Sequence, residues 1–227
     1  MKTAQGEKHR QMILNDLRAL QGEARYSIFS GGTRSGKTWA HLIALISFAA
    51  THRKKLISVV SVTYPHLLRG AIRDFRAIME AMRVGGAVYF DRRDWHDTRM
   101  VYSFPSGSVI EFFSADNVGK VHGPQRDILF LNEAQNISHD IARHLFVRTK
   151  STVLIDFNPT HRFWVHDLKD NPGVLWVDST YRDNLQLSPG QIAEIEIGKS
   201  NPRWWRVYGE GQIGQLEGLI FQEFDQV

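Results

Sequence analysis

The chain has 227 residues, 42% of them hydrophobic and 23% charged, with a formal net charge of +4 and no cysteine. These values predict one large globular domain with its own core, with room for a small appended subdomain, and they exclude a disordered or low-complexity chain. The absence of cysteine excludes disulfides and thiolate metal sites, and it is compatible with a reducing compartment.

The N-terminal sequence lacks the apolar core of a signal peptide, and the longest apolar run, residues 39–50, is too short to span a bilayer. We therefore expect a cytosolic protein with no membrane partner. The small positive charge is compatible with a nucleic-acid partner but is weak support for one.

The predicted elements alternate between helix and strand. An amphipathic helix at residues 7–20 precedes an apolar strand at 26–30, an apolar helix at 38–50 and a buried strand at 56–62. A further helix begins at Pro65, and its apolar stripe comprises Ile72, Phe75, Met79 and Met82.

The second half of the chain adds a hairpin, three strands and several short helices. The segments 100–104 and 109–113 flank Pro105-Ser106-Gly107-Ser108, which is a hairpin signal. Strands are predicted at 127–131, 152–156 and 174–177, and helices at 163–168, 191–197 and 202–208. This order predicts an α/β fold with a mainly parallel sheet, helices on both faces, a core domain at 1–187 and a small lid-like segment at 188–227.

One loop between the first strand and the second helix fits the nucleotide-binding pattern G-x-x-x-x-G-K-S/T. It comprises Gly31, Gly32, Thr33, Arg34, Ser35, Gly36, Lys37 and Thr38. Its backbone N–H groups would wrap phosphates in front of the positive end of the helix, with Lys37 reaching the β and γ phosphates and Thr38 Oγ1 binding Mg²⁺. Arg34 would add positive charge near the γ-phosphate, or it is a solvated loop arginine.

A second candidate group lies about ninety residues further on, where the apolar run 128–131 delivers Asn132 and Glu133 to the end of a strand. A carboxylate at this point would orient and polarise an attacking water, which is typical of a hydrolase. The alternative is a surface Glu133 that caps the next segment. Asn132 stands where such strands usually end in Asp, and its oxygen would accept from a metal-bound water, with a weaker affinity for Mg²⁺.

Four segments in this order resemble the ATPase domain of a tailed-phage terminase large subunit: the loop at 31–38, residues 129–134, Asp156-Phe157-Asn158-Pro159-Thr160, and residues 208–212 leading to 216–221. The resemblance covers nearly the whole chain. It implies an ASCE-type P-loop ATPase that uses ATP and Mg²⁺. It also implies a homo-oligomeric ring, expected to be a pentamer, that threads double-stranded DNA into the prohead, with portal protein and small terminase subunit as partners in the host cytoplasm.

The resemblance also assigns roles to single residues. Lys37, Arg34 and Glu133 would be catalytic, and Thr38 and Asn132 would serve the metal. Asn158 would belong to the coupling motif. Gln11 resembles an adenine-reading glutamine, and the alternative is a polar residue on an exposed helix face.

Two features depart from the family pattern. His122-Gly123 stands where relatives often show Arg-Gly, so an arginine finger for a neighbouring subunit has no clear position. Arg126 and Lys120 are substitutes, or else solvated charges. Whole large subunits continue into an RNase-H-like nuclease, and this chain stops where that domain would begin. With no acidic cluster for two metals, we expect no DNA cleavage by this chain.

Contacts to DNA have the least support in the sequence. Arg69, Arg73 and Arg76 share a predicted helix face that would neutralise phosphates or simply be solvated. Trp204, Trp205 and Tyr208 would stack on a ligand or pack within a subdomain, and the histidines lack zinc-ligand spacing. Two other functions remain open: a helicase or other ASCE motor, and a packaging accessory that binds nucleotide as a switch with little hydrolysis.

Overall fold

The structure, a computed structural model, describes residues 7–84, 87–116 and 123–214. The helices are α1 Glu7–Leu20, α2 Lys37–Thr51, α3 Tyr64–Leu67, α4 Arg73–Ala81, α5 His139–Val147, α6 Pro189–Ile197 and α7 Pro202–Trp204. The strands are β1 Tyr26–Gly31, β2 Leu56–Ser61, β3 Arg83–Val84, β4 Ala87–Val88, β5 Trp95–His96, β6 Val101–Ser103, β7 Val109–Ser114, β8 Arg126–Leu131, β9 Thr149–Phe157 and β10 Val174–Ser179. In the described part of the chain, no helix is long and apolar enough to cross a membrane.

The sheet has eight strands in the order β10-β1-β9-β8-β2-β7-β6-β5. The six strands from β10 to β7 run parallel, and β6 and β5 extend the sheet antiparallel at one edge. β9 and β8 lie between β1 and β2, although they follow them by many residues in the chain. The predicted mainly parallel sheet is therefore confirmed, and its central strands are nearly continuous apolar runs, as expected of strands covered on both faces.

Helices cover both faces of the sheet because successive side chains of a strand point in opposite directions. In β8, Ile128 and Phe130 pack in one cluster with residues of α2 and α4. Leu129 and Leu131 pack in a second cluster, with residues of α5. The predicted two-sided packing is thus confirmed.

The helix predicted from Pro65 onward is interrupted. The stretch Leu68–Ile72 is π-helical and joins α3 to α4. A π-helical turn makes room for one extra residue and is often found at functional sites. Gly70, within this turn, faces Asn132: a Cβ atom on Gly70 would lie 3.7 Å from Asn132 Oδ1.

The described part of the lid-like segment contains α6, α7 and a second π-helical stretch, Trp205–Gly209. This stretch packs directly on the loop at residues 31–38: the Thr33 N–H donates to the Tyr208 carbonyl oxygen at 2.9 Å. The division at residue 188 stays a prediction, and residues 215–227 of the family pattern lie outside the described residues.

Candidate active site

The loop and the predicted catalytic strand end meet because they follow neighbouring parallel strands. β9 lies between β1 and β8, so the carboxyl ends of all three strands form one edge of the sheet. A cavity of about 330 Å³ opens at this edge. Among its lining residues are most of the predicted site: Thr33, Arg34, Ser35, Gly36, Lys37, Thr38, Glu133 and Asn158.

Lys37 occupies the centre of the loop. Its ammonium group donates to the carbonyl oxygens of Gly31 at 3.0 Å and Gly32 at 2.9 Å, and to Ser35 Oγ at 3.1 Å. Asn158 Oδ1 lies 3.1 Å from the same nitrogen and is a fourth acceptor for its three N–H groups, which joins the loop to the predicted coupling motif. Burial lowers the pKa of Lys37 to about 8, against the opposing pull of nearby carboxylates. The Lys37 ammonium is therefore held among oxygen acceptors, in a position where it could also donate to a phosphate oxygen bound by the loop.

The glycines of the loop have two different functions. Gly36 has a φ of 87°, a left-handed conformation that suits glycine, and it immediately precedes α2. Gly31 and Gly32 do not line the cavity and are buried under neighbouring backbone. A Cβ atom on Gly32 would lie 2.3 Å from the Tyr208 carbonyl oxygen. The first glycines thus permit close packing, and Gly36 permits the turn into the helix.

Arg34 lies at the mouth of the cavity, is exposed, and adopts a left-handed φ of 54°. Asn184 Nδ2 donates to its carbonyl oxygen at 2.9 Å, which helps to hold this conformation. Its guanidinium makes no hydrogen bond or ion pair with any residue that the structure describes. Both interpretations of Arg34, a γ-phosphate contact and a solvated cation, stay predictions.

Asp156, at the end of β9, is the centre of the site's polar network, and we did not predict a role for it from the sequence. It is 1% exposed and accepts from Thr38 Oγ1 at 2.6 Å. The Glu133 backbone N–H donates to it at 2.7 Å, and Asn132 Nδ2 donates to it at 3.1 Å. The signal that could have identified it is its place directly after the apolar run 153–155 at the carboxyl end of a strand.

Asn132 is buried and does not line the cavity. Its amide nitrogen faces both Asp156 oxygens and Thr38 Oγ1, at 3.1, 3.3 and 3.4 Å. This orientation follows from the network, since a carboxylate only accepts hydrogen bonds. The Asn132 oxygen instead faces Gly70. The predicted contact of that oxygen with a metal-bound water therefore has no support in this geometry.

Glu133 lines the cavity in a left-handed conformation, with φ 54° and ψ 51°. Left-handed backbone is costly for a residue with a Cβ atom and often occurs at functional sites. Burial raises the pKa of the Glu133 carboxyl, as does the Asp156 charge, and His66 and Lys37 act in the opposite direction. Glu133 occupies the N-cap position of the short helix that follows it, but its side chain makes no capping hydrogen bond, so this geometry does not favour the alternative of a capping carboxylate.

The residues at this edge suit a magnesium ion that accompanies a nucleotide. Within the described residues, no group of three or more His, Asp or Glu side chains could hold a metal by itself. Mg²⁺ usually takes one or two protein ligands and completes its shell with phosphate and water oxygens. The Thr38 hydroxyl and the Asp156 carboxylate are oxygen groups of the kind that Mg²⁺ binds.

Gln11 is not brought to the loop. It is exposed and lines a separate depression with residues of the outer face of α1, including Leu14 and Arg18. The reason is the helical repeat of 3.6 residues, which turns position 11 away from the side that carries His9 and Met12. His9 faces the loop instead: a Cβ atom on Gly36 would lie 3.0 Å from its Nδ1. The exposed-face interpretation of Gln11 is the one that this geometry favours.

Of the residues considered as substitutes for an arginine finger, the structure describes Arg126. Arg126 is 1% exposed, its Nη1 donates to the Leu145 carbonyl oxygen at 3.4 Å, and its guanidinium lies 5.6 Å from the Phe113 ring centroid. It is neither a finger nor a solvated charge, since a buried side chain reaches no neighbouring subunit. Lys120 and His122 lie outside the described residues.

The three arginines of the predicted DNA-binding face have different surroundings. Arg73 lines the cavity beside Asp74, to which it donates at 2.9 Å. Arg76 lies over the Trp95 ring at 4.6 Å from its centroid and pairs with Asp97. Arg69 is exposed and lies in the π-helical turn that precedes α4. Because Arg73 and Arg76 already contact carboxylates, the three side chains do not form one uncommitted basic face.

Trp204, Trp205 and Tyr208 pack against one another and against neighbouring residues on both sides of position 188. The Trp204 and Tyr208 rings lie 5.2 Å apart, and Trp205 makes an edge contact with Tyr181 at 6.0 Å. A Cβ atom on Gly198 would overlap the Trp204 ring at 2.0 Å. This geometry supports the packing interpretation of the three aromatic residues.

Solved structures of phage terminases share this fold. The large terminase of a thermophilic bacteriophage matches with a TM-score of 0.74 and 18% identity, over 95% of this chain and 56% of that one. The ATPase domain of the Thermus phage P74-26 large terminase matches with a TM-score of 0.59 and 16% identity, over 88% of this chain and 92% of that one. The HK97 bacteriophage large terminase matches with a TM-score of 0.64 and 12% identity, over 90% of this chain and 50% of that one.

These likenesses confirm the predicted ASCE-type P-loop fold. The chain spans about half the length of the first and third of these terminases. No curated protein matches the chain in sequence. The family model described as terminase large subunit, T4likevirus-type, N-terminal, matches residues 28–226. Since this match covers most of the sequence, the chain belongs to the family of terminase large subunit N-terminal domains of the T4likevirus type.

Proposed function

We propose that this chain hydrolyses ATP and is the motor domain of a phage large terminase. Family membership and the cavity at the phosphate-binding loop support the proposal. The thermophilic bacteriophage large terminase that shares the fold at a TM-score of 0.74 has also been solved in complex with ADP and with ATP-gamma-S.

The observation that carries hydrolysis, beyond binding, is the position of Glu133. Its side chain opens into the same cavity as Lys37 and Thr38, and it has no capping contact. A protein that merely holds a nucleotide has no need of a carboxylate facing the phosphates. Here a carboxylate whose pKa is raised by burial is suited to accept a proton from water.

The chain's own residues divide the reaction between them. The N–H groups at the start of α2 and the Lys37 ammonium hold the phosphates and stabilise negative charge that develops on them. Glu133 orients the attacking water and accepts its proton, and Asn158 positions Lys37 through their hydrogen bond. When bound, Mg²⁺ supplies further positive charge on the β and γ phosphates.

The test is steady-state ATP turnover together with equilibrium ATP binding. Glu133→Gln should abolish turnover and leave ATP binding nearly intact, while Lys37→Ala should lose binding. Glu23→Gln is a matched control, because Glu23 is exposed at the opposite end of β1 and pairs with Arg18. Turnover of Glu133→Gln at the rate of the control would overturn the assignment.

A second candidate function is a nucleotide switch that hydrolyses little. Asn132 keeps this candidate open, because it places a neutral amide where strands of this class usually end in Asp. Turnover per subunit separates the two: a motor whose site is completed by a neighbour should become faster as protein concentration rises, whereas a switch should stay slow.

The remaining parts of the proposal concern the assembly. We propose that the chain acts in the host cytoplasm, in a homo-oligomeric ring of five subunits that moves double-stranded DNA, with portal protein and small terminase subunit as partners. Family membership supports this assignment. ATP turnover that rises with DNA and portal-bearing proheads would favour it, and strand unwinding without a portal would instead favour a helicase.

A further inference from the structure

We propose that Asp156, and not Asn132, is the carboxylate that holds the nucleotide's magnesium ion together with the Thr38 hydroxyl. The inference rests on the proposed function, because it concerns the ion that accompanies ATP. In P-loop NTPases the loop Ser or Thr shares the ion with a carboxylate from a neighbouring strand end. In this chain the position at the end of β8 carries no charge, so the carboxylate must come from elsewhere.

The first observation is the contact between Asp156 and the loop. Thr38 Oγ1 donates to Asp156 Oδ2 at 2.6 Å, a length typical of a strong hydrogen bond to a charged acceptor. The strand order produces this contact, because β9 is the direct neighbour of β1, which leads into the loop. Among the described residues, Asp156 is the carboxylate that bonds to this hydroxyl.

The second observation is the orientation of Asn132. Its amide nitrogen donates to Asp156, and its oxygen is turned towards Gly70. Asn132 therefore offers no oxygen on the side of Thr38. Its geometry is that of a residue that orients a carboxylate, in the way that outer partners orient metal ligands.

The third observation is that a buried carboxylate accepts its hydrogen bonds from neutral donors, while the Lys37 ammonium is a nearby positive charge. Asp156 is 1% exposed, and the groups that donate to it within the described part of the chain are Thr38, Asn132 and the Glu133 N–H, all of them uncharged. Buried charges are usually paired or bind a metal. Asp156 also lines the cavity, so an ion held beside the phosphates would meet it directly.

A competing explanation is that Asp156 only supports the backbone of Glu133 in its left-handed conformation. The two explanations differ in one measurable quantity, the dependence of ATP binding on Mg²⁺. If the carboxylate holds the metal, its replacement changes the Mg²⁺ concentration at which the enhancement of ATP binding is half-maximal. If the carboxylate is purely structural, its replacement changes ATP binding equally with and without Mg²⁺.

The experiment measures binding of a fluorescent ATP analogue in EDTA and across a Mg²⁺ titration. Asp156→Asn should raise the Mg²⁺ concentration for half-maximal enhancement about 10- to 100-fold, with binding in EDTA unchanged. Asp178→Asn is the matched control, because Asp178 is an exposed aspartate of β10, which β1 separates from β9, and it pairs with Lys169. This control should behave as wild type.

A charge exchange keeps the test decisive if Asp156→Asn fails to fold. The double variant Asn132→Asp, Asp156→Asn returns one carboxylate to within reach of Thr38, since Asn132 Nδ2 lies 3.4 Å from its hydroxyl. We expect it to recover the Mg²⁺ dependence. An unchanged Mg²⁺ titration in folded Asp156→Asn, an equal loss with and without Mg²⁺, or a folded double variant without Mg²⁺ dependence would each overturn the inference. Failure of the wild type to bind ATP would instead overturn the proposed function.

Discussion

Replacing Gly32 with alanine should uncouple the phosphate-binding loop from the lid-like segment. The added Cβ atom would lie 2.3 Å from the Tyr208 carbonyl oxygen and 3.0 Å from its carbon. Both atoms belong to the backbone, so no side-chain rotation relieves the overlap. Restoring ordinary contact requires a separation of about 1 Å between the loop and the stretch Trp205–Gly209.

The cost follows from two contributions. Overpacking of this kind costs about 1–3 kcal/mol, and separation also breaks the hydrogen bond from the Thr33 N–H to the Tyr208 carbonyl, worth about 1 kcal/mol. We therefore expect Gly32→Ala to lower the free energy of unfolding by about 2–4 kcal/mol. For a chain of this size the melting temperature should fall by roughly 5–15 °C.

The assay is thermal and urea unfolding of Gly32→Ala beside Gly190→Ala. Gly190 lies in the first turn of α6. A Cβ atom added to Gly190 would lie 4.0 Å from its nearest neighbour, Ser188 Oγ, which is an ordinary contact. Alanine there should be neutral or stabilise by up to about 1 kcal/mol, because it favours helix over glycine. If Gly32→Ala melts at the temperature of Gly190→Ala, the loop and the lid-like segment are not packed as one unit.

Two further substitutions address the charges of the site and its surroundings. Arg34→Ala should lower ATP turnover more than ATP affinity, because a γ-phosphate contact acts mainly on developing charge; equal losses of both in steady-state and binding assays would instead indicate general binding. Arg126→Met should keep ATP turnover, and its free energy of unfolding should equal that of the wild type or exceed it by up to about 4 kcal/mol, because an apolar side chain replaces a buried cation whose one hydrogen bond among the described residues is long, at 3.4 Å. If Arg126→Met loses turnover, it should be mixed with Glu133→Gln. Recovery of turnover in the mixture would show that Arg126 acts on a neighbouring subunit.

The polar network around Asp156 changes the interpretation of the neutral Asn132 at the end of β8. Taken alone, a neutral amide at the end of β8 suggests a weakened metal site. The structure shows a carboxylate one strand away, within hydrogen-bonding distance of both Asn132 and the loop threonine. The carboxylate that contacts the loop threonine thus lies on β9, and the position after β8 contributes the neutral Asn132 to the same network.

Much of the fold and the core of the site could be predicted from the sequence. The alternation of apolar strands and amphipathic helices predicted the parallel sheet covered on both faces, since these patterns reflect burial directly. The position of the loop at 31–38 between a strand and a helix could be predicted because its pattern lies in eight consecutive residues, and its role in phosphate binding stays a prediction. Glu133 followed from its position at the end of an apolar strand.

The tertiary structure decided the contacts that depend on which elements become neighbours. Strand order has no signature in local periodicity, so the meeting of Asp156 with Thr38, residues 118 positions apart, was not predictable from either segment. The face of α1 that is turned towards the loop carries His9 and not Gln11, and Arg126 is buried beside α5. The sequence by itself therefore determined the phosphate-binding loop and the type of fold, whose signals are contiguous or periodic. Only the packed molecule determined which carboxylate stands beside the loop, because that depends on the adjacency of β9 and β1.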